Sequence, residues 1–173
     1  MSGLWHPAAF AAICLLAGML PVSAVAQRTP GPELSILAGP SPYHLSKSGT
    51  GVAISAGLAF RPTQRVLVVE PGLGFFFFRN DFGQGSHWFF PEVSVQAEAG
   101  LGSIRPFVGG GGGIGIEARI GSDRVVGTLH AVAGVRLRLA TGWGARAEVR
   151  WRGVPPGSGH TADFCFGFVR GIG

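Results

Sequence analysis

Ser158, His160 and Asp163 lie within six residues of one another. A hydroxyl nucleophile beside an imidazole base and an orienting carboxylate is the arrangement of a hydrolase. A serine two residues from a histidine in a Gly-Pro loop is also common by chance. The alternation of the segment that follows turns Asp163 toward an interior. These three remain the catalytic candidates, and no catalytic role is assigned to them. The glycine run Gly109 to Gly113, then Ile114 and Gly115, formally contains G-x-G-x-x-G from Gly110. No helix-period pattern follows it and no Gly-Lys-Ser/Thr exists, so it is not a phosphate loop. Glycine within a strand marks sharp curling or close packing instead. Cys165 is the only cysteine after the leader, so no internal disulfide forms. It packs as a small apolar residue. Four histidines on separate segments make no metal-ligand spacing, and no cofactor is implied.

The residues with the clearest spacing are charged. Glu70, Glu92, Glu98, Glu117 and Glu148 fall on the same face of their segments as Arg136, Arg138, Arg146, Arg150 and Arg152. Buried charges must pair or each costs several kcal/mol. Arginine suits such a site because its planar fork holds carboxylates and stays protonated. The expectation is a salt-bridge network, with His130 as a filler within it. The formal net charge of +5 raises the question of nucleic acid. The arginines alternate with acidic partners and form no patch, so no nucleic-acid partner is expected.

The elements that position these residues have a period of two, which means strands. Leu129 to Leu139 shows it: Leu, Ala, Ala, Val, Leu and Leu alternate with residues that include His130, Arg136 and Arg138. Eight stretches fit: 33–43, 51–61, 65–78, 88–101, 105–119, 125–140, 143–152 and 161–172. Each reaches the about 9–11 residues with which a tilted strand crosses a bilayer. Pro62-Thr63, Gly102-Ser103 and Thr141-Gly142 make tight turns. The other connections are longer and polar, and both termini fall on the tight-turn side. Tyr43, Phe75 to Phe78, Trp88 to Phe90, Trp151 and Phe164 sit near loop ends. Phe60, Phe107, Trp143 and Phe168 sit near turn ends. Two bands of rings are expected as aromatic girdles.

Composition fits a chain that shows an apolar surface to lipid. Hydrophobic residues make up 46% and charged residues 13%, about half the charge of an average globular protein. No apolar run reaches the about 20 residues of a spanning helix, and only a closed barrel satisfies every backbone group in hydrocarbon without one. Residues 1–26 read as a signal peptide, with an apolar core from Ala8 to Leu20 and cleavage between Ala26 and Gln27. Its n-region has no Lys or Arg, only the α-amino group and His6. Residues 27–173 then form one barrel domain. The polar face of the strands is rich in Gly, Ala and Ser, which suits a lumen just wide enough for side chains.

The pattern resembles the small eight-stranded outer-membrane barrels typified by outer membrane proteins A and X, over about residues 33 to 173. The likeness rests on the leader, the strand number, the alternation of turns and loops, and the inward Arg/Glu set. The last strand, Asp163 to Gly173, looks like the family's assembly signal, with Phe164, Phe166 and Phe168 toward lipid. Members end on an aromatic residue; here Gly173 is last, so a few residues are missing or the insertion signal differs. The resemblance implies an all-β, eight-stranded antiparallel up-and-down transmembrane β-barrel in the bacterial outer membrane. It implies outer-membrane lipids, lipopolysaccharide among them, and the barrel-assembly machinery as partners, and a monomer. The expected role is structural or surface-interacting, with a plugged lumen that is no diffusion pore. Two alternatives stand beside it: an outer-membrane lipid-modifying enzyme of the lipid A deacylase or acyltransferase type, and a soluble lipocalin-like binder.

Overall fold

An antiparallel sheet loses both of its unpaired edges only by curling until the first strand meets the last. The computed structural model describes residues 31–42, 50–62, 66–79, 85–100, 102–119, 122–140, 142–153 and 160–172. The leader, the Ala26/Gln27 junction, Tyr43 and Ser158 lie outside the described residues. Eight strands follow one another: β1 (Glu33–Pro42), β2 (Thr50–Ala59), β3 (Leu67–Arg79), β4 (Gly85–Glu98), β5 (Ile104–Arg119), β6 (Ser122–Ala140), β7 (Trp143–Gly153) and β8 (His160–Gly171). Each pairs antiparallel with its sequence neighbour, and β1 pairs with β8 from Glu33↔Gly171 to Ala38↔Phe166, closing the barrel. All eight expected strands are present, with ends displaced by at most three residues.

The turn side is compact. Phe60 and Val69 exchange backbone hydrogen bonds of 2.8 and 2.9 Å, extending β2–β3 pairing beyond the strand end. Gly102 and Gly142 take positive φ angles of 66° and 76°, a region that favours glycine. The β6–β7 register shifts between Arg138 and Ala140, an irregularity of the bulge type that bends the hairpin end.

Curvature explains the glycine run. Gly109, Gly111 and Gly113 face inward on β5, against the backbone of β4. A Cβ at Gly111 would lie 1.9 Å from the Val93 carbonyl oxygen, and one at Gly113 would lie 2.2 Å from that of Pro91. Strands curled this tightly leave no room there for a side chain.

The barrel is inverted relative to a water-soluble domain. Its outer wall is apolar: Ile36, Val52, Phe75, Val93, Leu129 and Val149 are all exposed, and Phe166 is 69% exposed. Its interior is largely polar and charged, and among the described residues a small apolar cluster there holds Leu37, Ala53 and Cys165. The expected girdles need correction. Phe76, Phe90 and Phe107 are buried inside, because the period of two sends alternate rings of consecutive Phe and Trp to opposite faces. Phe76 stacks on Phe78 and Trp88 on Phe90, both along the inner face. Of the expected girdle rings, Phe75, Phe77, Phe89, Trp151 and Phe164 near the loops, and Phe60, Trp143 and Phe168 near the turns, remain on the outer wall.

Candidate functional site: the lumen and its ion pairs

The lumen is organised around β7. Arg146, Glu148, Arg150 and Arg152 alternate with Ala145, Ala147, Val149 and Trp151, so a period of two stacks four charges along one inner face. Acidic partners come from β1, β3, β4 and β8, across or beside it.

At the turn end the arrangement is a closed ring. Arg61 Nη2 donates to Glu33 Oε2 at 2.9 Å and to Glu98 Oε1 at 3.2 Å. Arg105 donates to the same two carboxylates, at 2.8 and 3.2 Å. Two carboxylates and two guanidiniums thus alternate around a square. Arg136 reaches down to Glu98 from above and donates to Glu70 at 2.9 Å and Gln96 Oε1 at 2.6 Å.

Arg136 and Arg146 are direct cross-strand neighbours, a like-charge pair that would repel. Two features offset the repulsion. Glu70 Oε2 accepts from both, at 2.9 and 2.7 Å. The Phe107 ring lies against both guanidiniums, with centroid distances of 4.3 and 4.8 Å.

Above this pair Arg146 contacts Glu148 at 2.5 Å, and Glu148 contacts Arg150 at 3.0 Å. Arg150 and Arg152 both bind Glu92, the second at 3.1 Å. Arg152 binds Asp163, which also accepts from Ser41 Oγ at 2.5 Å. The Arg152 guanidinium lies over Phe90, 4.3 Å from its centroid. One ladder of alternating sign therefore runs from the turn end to the loop end. It uses six carboxylates and six arginines, so its formal charge is zero.

The structure brings Glu70, Glu92, Glu98, Glu148, Arg136, Arg146, Arg150 and Arg152 into this ladder. Glu117 is buried on the inner face of β5, opposite Arg124 in the β5–β6 register, nearer the loops. Arg138 departs from the expectation. It is exposed and forms no ion pair among the described residues. It lies beyond the last row of inward acids, at the register shift, where it lines a mouth cavity of about 530 Å³ with Glu33, Arg105 and Arg136. Glu33, Arg61 and Arg105 escape a reading confined to strand centres. Their signal is parity extended to the turn ends: Arg105 shares the face of Phe107, and Glu33 that of Ser35.

Of the Ser158, His160 and Asp163 grouping, His160 and Asp163 do not come together. Ser158 lies outside the described residues. His160 stacks on Trp151 at 4.8 Å on the outer wall, whereas Asp163 is buried within under Arg152. Residues three apart on a strand face opposite ways. Another relay does form: Ser94 Oγ lies 2.7 Å from His130 Nε2, and His130 Nδ1 lies 3.3 Å from Glu92 Oε2. Its serine is 1% exposed, and its carboxylate is shared with Arg150 and Arg152. It is sealed inside the ladder. Among the described residues no cluster of His, Cys, Asp and Glu could hold a metal ion.

No protein-family model matches the chain, and no curated protein sequence matches it. Solved structures do. The chain is similar to the N-terminal β-barrel domain of Pseudomonas aeruginosa OprF, with a TM-score of 0.54 at 14% identity, covering 81% of this chain and 98% of that one. It is similar to Ail, the attachment invasion locus protein of Yersinia pestis, with a TM-score of 0.53 at 12% identity, covering 82% and 99%. It is similar to the outer membrane enzyme PagL, with a TM-score of 0.54 at 17% identity, covering 80% and 99%. At these identities the likeness is one of fold: a closed eight-stranded antiparallel barrel shared by proteins of different activity.

Proposed function

We propose that this chain is a monomeric barrel of the bacterial outer membrane, with a structural or surface-interaction role and a lumen closed to bulk diffusion. One observation carries the reading: an apolar wall surrounds a neutral ladder of buried ion pairs. Water would favour the opposite arrangement, since an exposed apolar wall costs about 25 cal/mol per Å². Lipid rewards it, and closure leaves no backbone group unpaired in hydrocarbon. The segment before Gln27 acts as the export signal, and the turn side faces the periplasm. The partners are outer-membrane lipids, including lipopolysaccharide on the loop side, and the assembly machinery that inserts the Phe-rich β8.

Gel mobility in SDS with and without boiling, followed by conductance across a planar bilayer, tests this. The expected result is a heat-dependent shift with no steady conductance. A refolded mature chain soluble without detergent would instead establish the lipocalin-like reading.

A second reading, a lipid-modifying enzyme, draws on the Ser94–His130–Glu92 relay and on the enzyme among the similar structures. The relay sits on the wrong side of the wall, since acyl chains meet the outer face. Ser94→Ala should leave the mass of lipid A in expressing cells unchanged; a serine-dependent change would establish the enzyme.

A further inference from the structure

Outside the ladder, a cation stands on the outer wall at the turn end. Arg170 is exposed on the outer face of β8, on the parity of Phe164, Phe166 and Phe168, at the turn end. It forms no ion pair among the described residues. Its guanidinium lies 5.1 Å from the Trp143 ring centroid, directly across the β7–β8 register, and Trp143 is exposed on the same wall. An arginine there cannot remain among acyl chains and must reach the headgroup layer. A Trp beside it marks that layer. Within reach below, Ala145 and Ala147 face Phe168 and Phe166. A groove of about 340 Å³ runs there, lined by Ala133, Val135, Ala147, Val149, Phe164 and Phe166. Phe166 is four residues from Arg170, about 13 Å along a strand, a length an acyl chain spans.

We propose that Arg170 and Trp143 hold the phosphodiester of one glycerophospholipid in the turn-side leaflet, with an acyl chain in the groove between β6, β7 and β8. The inference rests on the membrane reading above. The guanidinium fork supplies two donors to one phosphate, and the ring packs against the guanidinium and the glycerol region. No acidic side chain on the described wall competes for the cation. The occupant is a lipid rather than a soluble phosphate, because the groove wall is mostly apolar, with Glu148 and Cys165 also in its lining, and its near end at Phe166 lies within an acyl chain's length of the cation.

The test is native mass spectrometry of the folded mature chain released from micelles containing phosphatidylglycerol. The wild type should retain one lipid. Arg170→Gln should bind it about tenfold more weakly, the loss of one charge-assisted contact. Arg170→Lys should recover part of the affinity, since it keeps charge without the fork. Ala147→Phe, which fills the groove and leaves the cation intact, should also weaken retention. Arg138→Gln, at the mouth, should not. Neither glycerophosphoglycerol nor inorganic phosphate should displace the lipid. Equal retention by Arg170→Gln, or displacement by inorganic phosphate, overturns the proposal while a heat-dependent gel shift preserves the membrane reading. A chain without that shift fails both, and does so before any lipid is added.

Discussion

The two faces of β7 differ more than many pairs of domains. Inward it presents Arg146, Glu148, Arg150 and Arg152; outward it presents Trp143, Ala145, Ala147, Val149 and Trp151. The inner set is nearly fully buried and the outer set is largely exposed. Neighbouring residues of one strand thus meet opposite solvents. The inner face is held by directional ion pairs that fail as a group. In the proposed membrane setting the outer face is held by non-directional contact with acyl chains, and tolerates exchange of one apolar side chain for another. The lesson is that stability here depends on keeping charge on the correct side of a wall one residue thick.

The strongest challenge to that contrast is to remove a charge from within. Glu92 serves Arg150, Arg152 and His130. Glu92→Gln should cost about 3–5 kcal/mol, because it leaves buried guanidiniums uncompensated. Urea unfolding of the barrel in vesicles measures it; a loss below 1 kcal/mol would mean water enters the lumen and screens the ladder. The converse places a charge on the wall. Val149→Arg should cost about 2–4 kcal/mol in a bilayer. It should cost much less in a loose detergent micelle, and equal losses in both would count against lipid contact.

A smaller effect sharpens the geometric side. Gly111→Ala puts a methyl group 1.9 Å from the Val93 carbonyl oxygen, whereas Gly127 has open space around its would-be Cβ. The first should lose about 1–3 kcal/mol as an overpacked site. Gly127→Ala, on the same scale, should be near neutral. Smallest of all, Arg138→Gln should change stability by less than about 0.5 kcal/mol, as an exposed residue does. A large loss would place Arg138 in the ladder after all.

Much of this architecture is legible in the residues because a strand has an integer period. Parity assigns Glu70, Glu92, Glu98, Glu148 and the β7 arginines to one side without any contact being known. Parity also corrects what position along the strand suggests. Phe76, Phe90 and Phe107 lie at girdle heights and yet face the lumen. It separates His160 from Asp163 by the thickness of the wall. Arg138 is where parity alone misleads, because the β6–β7 register shifts beside it and the lumen ends there.

Sequence by itself determined the number of strands, their order and, away from the barrel mouth at Arg138, the face a side chain takes, since these follow from local alternation and turn residues. Only the closed barrel decided which charges meet. Glu33 joins Arg61 and Arg105, and Glu92 joins Arg150 and Arg152 across 58 and 60 residues. Such pairs depend on strand tilt and register summed around the circumference. No local window of residues encodes that sum.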